Sequence, residues 1–193
     1  MEQIETASKV IELCDTHVII DHNITSEFTN CGYVGDDETV LSFYHKILGS
    51  YALAEKLNYC KVLSSKYNNL SEYFEEDDEL IEEYEATIKI KMERYDTLSK
   101  KIINMDEDTF YKNMRQLLRI MKKKNIVHTN LTLDNIGVDE NGSFWLLELD
   151  SIEETTDLER YANMMNFDFP KKITWADAVM KKLESYLITE RNN

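Results

Sequence analysis

Between residues 128 and 150 the chain gathers its most chemically capable side chains: His128, Asn130, Asn135, Glu148 and Asp150. Asn135, Glu148 and Asp150 carry oxygens that a hard cation such as Mg²⁺ accepts. Glu148 and Asp150 are two residues apart, which puts them on one face of a strand if the strand runs that far. Asn130 has an amide instead of a carboxylate. It therefore offers no base to accept a proton, a contribution worth roughly 10²–10⁴-fold in rate where it exists. Asn135 suits either of two roles, metal ligand or hydrogen-bonding brace for a loop.

The elements around this segment follow from periodicity. Residues 106–124 read as the best helix in the chain. Asp106 caps its start, Phe110, Met114, Leu117, Leu118 and Met121 form an apolar stripe, and Lys122, Lys123 and Lys124 suit the negative end of the helix dipole. Ile126–His128 then leads into an irregular loop. Two short strands, 136–138 and 144–149, flank Asp139-Glu140-Asn141-Gly142, a hairpin turn. Helices are expected near 157–165 and 175–190. Upstream, residues 4–14 read as a helix or a first strand, and 18–20 as strand. Residues 21–26 read as polar, 28–34 as strand and 39–44 as a third strand. A helix over 47–57 follows, then strands over 60–63 and 87–92. The order of elements predicts an α+β fold.

The segment Ile126-Val127-His128-Thr129-Asn130 to Asn135, followed by a hairpin and Glu148-Leu149-Asp150, resembles the catalytic loop and metal-binding triplet of protein kinases, H-R-D-x-x-x-x-N … D-F-G. His128 matches the family's His, a scaffold residue, and Asn135 its metal-binding Asn. The resemblance implies a minimal bilobal kinase-like fold. A β-rich N-lobe would occupy about 1–94 and a reduced, helical C-lobe 95–193, as one kinase-like domain with a hinge near Met92–Leu98. It covers roughly residues 17–165, and its N-terminal half rests on order and spacing.

The same resemblance implies that the chemistry has been erased. Asn130 stands where the family has its base Asp. Glu148 stands at the Mg²⁺-binding Asp, with one methylene too many for a strict octahedral site. Ser42 aligns with the phosphate-gripping Lys of V-A-I-K, with Ser50 or Glu55 as its helix partner. Asp21, Asn23 and Ser26 fill the glycine positions of the phosphate loop, where glycine allows close backbone approach. Asp157 matches a later Asp that ties the catalytic loop down. Losing base, lysine and glycine loop together removes most of the positioning and charge neutralisation that phosphoryl transfer needs.

Composition limits the remaining options. The chain has 193 residues, 42% apolar, and a formal net charge of −15. It is long enough for a real core. Its charge disfavours nucleic acid and anionic membranes as partners. Cys14, Cys31 and Cys60 lack CxxC spacing and predict reduced thiols in a cytoplasmic setting. The start shows no signal-peptide pattern. Residues 72–85 are densely acidic and read as a solvated face or a docking surface for basic groups. The late aromatics Phe167, Phe169, Trp175 and Tyr186 read as packing for the terminal helix or as a docking patch.

The expectation is a pseudokinase, not an enzyme, that binds and regulates or inhibits a protein partner, a kinase or kinase-pathway component. No cofactor or metal is expected. Its compact size resembles trimmed kinase-like proteins of viruses and intracellular pathogens, which would place it in host cytoplasm or nucleus. The alternative is an atypical active phosphotransferase using ATP with Mg²⁺ or Mn²⁺ on Asn135, Glu148 and Asp150. The sequence does not specify the oligomeric state.

Overall fold

Two long strands, β1 (Glu5–Leu13) and β2 (His17–Thr29), form a hairpin. Its tight turn is closed by the Cys14 N–H donating to the His17 carbonyl (3.1 Å). The register slips between Val10 and Glu12, a bulge that places an extra residue on β1. The computed structural model describes residues 5–29, 32–33, 37–69 and 83–189. These fall into two compact units, Met1–Arg94 and Tyr95–Asn193. The architecture is α+β with antiparallel sheets.

In the first unit the hairpin is followed by β3 (Gly32–Tyr33), helix α1 (Asp37–Lys56), β4 (Cys60–Asn69) and β5 (Glu83–Glu93). The antiparallel sheet runs β1-β2-β5-β4, with β3 on the end of β2. In β5 the period is two: Ala86, Ile88 and Ile90 are buried, while Thr87 and Lys89 are half-buried and Lys91 is exposed. Against this face α1 lays Val40, Tyr44, Ile47, Tyr51 and Ala54, all buried and spaced three or four apart.

That spacing overturns the expected strand over 39–44. Six residues rich in β formers cannot separate strand from helix, and the longer stripe from Val40 to Ala54 decides the matter. Ser42 therefore lies exposed on a helix and cannot occupy the strand-lysine position its alignment assigned. The glycine-loop alignment of 21–26 is corrected too. Asp21, Asn23 and Ser26 lie inside β2, paired with β5 on one side, and Asp21 and Asn23 also with β1 on the other. A ladder on both sides outweighs the weak strand propensity of these polar residues. Asp21 also stands opposite Lys89 on β5, a favourable cross-strand arrangement of charge. A phosphate loop at these positions is thus replaced by mid-sheet backbone. The candidate helix partners serve structure: Glu55 accepts the Val62 N–H (2.7 Å), and Ser50 donates to the Lys46 carbonyl (3.1 Å).

The acidic block at 72–85 falls mostly outside the described residues. Only Glu83–Glu85 are seen, as the start of β5.

The second unit contains β6 (Asp96–Thr97), α2 (Leu98–Lys101), α3 (Glu107–Lys123), β7 (Ile126–His128), β8 (Ile136–Val138), β9 (Phe144–Leu146), β10 (Ile152–Glu154), α4 (Leu158–Asn163) and α5 (Ala176–Thr189). Asp106 caps α3, its carboxylate accepting the Thr109 N–H (2.9 Å). The predicted stripe from Phe110 to Met121 is buried. Helix α5 buries Val179, Leu183, Tyr186 and Leu187 and packs beside α3. Asp157 caps α4 by accepting the Glu159 N–H (2.9 Å).

Of the late aromatics, Phe167, Phe169 and Trp175 are packing residues. Phe110, fully buried, meets the rings of Phe144, Phe167, Phe169 and Trp175 at centroid distances of 5.9, 6.2, 5.6 and 5.3 Å. Between β8 and β9, Asp139 organises the turn: its carboxylate accepts the N–H groups of Asn141 and Ser143 and the Trp145 indole N–H (2.9, 2.8 and 2.9 Å). Gly142 in this turn has φ +79°. Gly137 leaves room for Tyr95, whose Cβ would lie 2.7 Å from an added Cβ.

Candidate functional site

The loop between β7 and β8 is fixed from three directions. Helix α3 ends at Lys124, and Asn125 turns the chain with φ +56° into β7, which is buried along its whole length. Strand β7 pairs antiparallel with β10, setting His128 opposite Ile152. Beyond it, the Thr129 N–H donates to the Ser151 carbonyl (2.9 Å), the Leu147 N–H donates to the Asn135 carbonyl (2.9 Å), and Leu131 bridges to Met165. Leu131 and Leu133 point into the core, which leaves Asn130 exposed and Asn135 half-buried.

His128 holds the loop to the segment after β9. It is wholly buried, and its Nε2–H donates to the Leu147 carbonyl (2.7 Å). Its Nδ1 accepts the Asn130 N–H (3.2 Å). Those two bonds require the neutral ring with its proton on Nε2. Burial holds the imidazole below its ordinary value, outweighing the Leu147 bond and the charges of Glu148 and Asp150. His128 thus braces the loop.

Glu148 follows with φ +51° and ψ +56°, left-handed backbone that a non-glycine residue adopts at a cost. Its carboxylate meets both asparagines on a single oxygen. Asn130 donates from Nδ2 to Glu148 Oε2 (2.7 Å), and Asn135 donates from its own Nδ2 to the same atom. The Asn135 amide also donates to the Asn130 carbonyl (2.9 Å). The structure thus brings together Asn130, Asn135 and Glu148. Asp150 lies half-buried in the turn Leu149–Ser151, near enough for its charge to act on His128.

Chemically this is an amide–carboxylate knot. The Glu148 oxygen that accepts both amide N–H bonds is turned towards the loop. Neither amide can accept a proton, so Asn130 and Asn135 brace the loop and are not themselves bases. With both amides turned over, Asn135 and Glu148 would present oxygens to a cation. Among the described residues, no group of three or more His, Cys, Asp or Glu side chains is placed to hold a metal.

Sequence reasoning missed two features. The first joins sheet and helix in the N-terminal unit: buried His22 on β2 is hydrogen-bonded through Nε2 to the Tyr51 hydroxyl on α1. The polar appearance of 21–26 hid it. The second is an open groove of about 810 Å³ beside α3 and α5. Lys112, Arg115, Arg119 and Lys123 line it along one side of α3, with Ile120 and Tyr186. The Arg115 guanidinium lies 4.8 Å from the Tyr186 ring centre. The spacing 112, 115, 119, 123 is the signal in the sequence, and Lys123 belongs to the lysine run that also suits the helix end. No helix among the described residues is long and apolar enough to cross a membrane.

No protein-family model matches the chain, and no curated protein matches it. Among solved structures it is similar to monomeric WbdD, with 13% identity and a TM-score of 0.47, covering 77% of this chain and 33% of that one. A second structure, of the bifunctional kinase-methyltransferase WbdD, gives 13% and 0.47, covering 76% and 32%. WbdD with the kinase inhibitor LY294002 gives 12% and 0.42, covering 75% and 32%. The chain thus spans about a third of the length of these structures.

Proposed function

We propose that this protein is a catalytically inactive, kinase-like binding module that regulates or inhibits a component of a kinase pathway. One observation carries the reading: at the position of the kinase base, Asn130 offers an amide already committed to Glu148. The side chains of a metal-binding pair are used to hold the loop shut. Buried His22 on β2 joins the sheet to Tyr51 on α1.

The groove along α3 is the docking surface in this reading. The chain carries a net charge of −15, yet among the described residues the groove is lined by four cations and no acid. Along a helix rising 1.5 Å per residue the four span about 16 Å. Arg115 already covers the Tyr186 ring, which opposes base stacking and favours carboxylates of an acidic protein segment. A poly-L-glutamate probe will bind the full chain at low salt. Arg115→Glu with Arg119→Glu will weaken that binding by about tenfold or more. Equal binding by both proteins would remove the groove from the proposal.

A second reading, an active phosphotransferase using ATP with Mg²⁺ or Mn²⁺, is favoured by the approach of Asn135 to Glu148. Thermal unfolding with nucleotide and metal separates the two. A ligand at a hundredfold excess over its Kd stabilises the fold by about 2.7 kcal/mol. We expect no shift at millimolar ATP with either metal. A metal-dependent shift, with label transfer lost in Glu148→Ala, would establish the second reading and end the first.

A further inference from the structure

At the tip of the β1–β2 hairpin three side chains that the kinase-like reading does not use form a hydrogen-bonded chain. Cys14 Sγ lies 2.8 Å from His17 Nδ1, and His17 Nε2 lies 3.0 Å from Glu12 Oε1. The order is thiol, imidazole, carboxylate: a nucleophile, a base within reach of its proton, and a third group that orients the base. With Nε2–H donated to Glu12, Nδ1 is left as the acceptor, with the thiol at 2.8 Å and the Thr16 hydroxyl at 3.3 Å. The tight turn creates this arrangement, because residues 14 and 17 are its two ends. The bulge at Val10/Glu12 changes the register of β1 just before Glu12.

The surroundings favour a thiolate. The His17 backbone N–H donates to Sγ at 3.3 Å, and the Thr16 hydroxyl lies 3.5 Å from it. Hydrogen bonds from the Thr16 hydroxyl and backbone, with that of His17, hold the thiol below its ordinary value against slight desolvation and the Glu12 charge. On β5, Glu93 pairs opposite His17, and Arg94 donates to the Cys14 carbonyl (3.1 Å). Cys14 is half-exposed, so a small reagent can reach it. Cys60 is the internal contrast: burial first, then the Glu55 charge, pushes its thiol up to about 12.

We propose that Cys14 is an activated thiol, deprotonated by His17 with Glu12 as positioning residue, and that it is a site of oxidation by hydroperoxides. Sγ attacks one peroxide oxygen. The S–O bond forms as the O–O bond breaks, sulfur is oxidised to a sulfenic acid and the peroxide is reduced. The departing oxygen takes the proton that His17 holds and leaves as water or an alcohol. The inference is independent of the kinase-like reading.

The test uses the full chain and peptide mapping, which reads each cysteine separately. At pH 6.5, iodoacetamide will label Cys14 about tenfold or more faster than Cys60 or N-acetylcysteine. Hydrogen peroxide followed by dimedone will leave the adduct on Cys14. His17→Asn will slow alkylation about tenfold and move the midpoint of its pH profile up towards that of a free thiol. Thr16→Val, which keeps His17, will also move the midpoint up. Circular dichroism melts will check that both variants fold. The proposal fails if Cys14 reacts no faster than N-acetylcysteine, if dimedone finds no adduct there, or if His17→Asn leaves the profile unchanged.

Discussion

Phe110→Ala will destabilise the C-terminal unit by about 3–5 kcal/mol, the range for removing a buried aromatic ring. The ring is fully buried and lies among Phe144, Phe167, Phe169 and Trp175, which come from two separate stretches of chain. Removing it forfeits burial and leaves a cavity that four other rings cannot easily fill. Both tryptophans, Trp145 and Trp175, lie in this unit, so fluorescence in urea reads its unfolding directly. Phe110→Leu will cost distinctly less because it keeps much of the volume. Equal, small losses for both variants would show that the aromatic cluster collapses around the gap and does not hold residues 167–175 in place.

His128→Leu will cost about 2–5 kcal/mol at neutral pH. The change leaves the Leu147 carbonyl and the Asn130 N–H without the ring that pairs them, each worth about 1–3 kcal/mol when stranded. It also alters the pH dependence of stability. The folded imidazole titrates below its ordinary value of 6.5, so below that pH the unfolded chain binds more protons than the native one. The contribution of the neutral ring is complete above pH 6.5 and is lost as pH falls through the depressed folded value. Urea unfolding at pH 7.5 and 5.5 will show the wild type losing more stability on acidification than His128→Leu. The other histidines are common to both proteins and cancel in the comparison. A difference between the two proteins that stays constant with pH would mean that the ring is not held neutral.

The two effects bear on function in different ways. The Phe110 cluster fixes the frame behind the loop, while His128 fixes the loop itself and delivers the Asn130 backbone to its place. His128→Leu will lower stability, whereas substitutions at the exposed Asn130 will leave the fold intact.

Much of the second unit could be read in one dimension. Helix α3 had its cap at Asp106 and its stripe from Phe110 to Met121, and the hairpin had its turn at Asp139–Gly142. Such features are local: caps, periodicity and turn residues act within a few positions. The identities at the candidate site were legible for the same reason. That Asn130 has no carboxylate needs no coordinates.

What only the tertiary structure decided depended on partners far away in the chain. Residues 39–44 became helix because Val40 and Tyr44 continue a stripe that packs on β5, and 21–26 became strand because β1 and β5 flank them. The convergence of both amides on one Glu148 oxygen joins residues 18 and 13 positions apart, and His22 meets Tyr51 across 29. The Cys14–His17–Glu12 chain is close in sequence, yet it exists only because the hairpin turn and the bulge set its ends face to face. Sequence thus determined which groups this protein owns. The pairing of strands and the packing of helices determined which of them meet, because contact is a property of distances that a linear pattern does not contain.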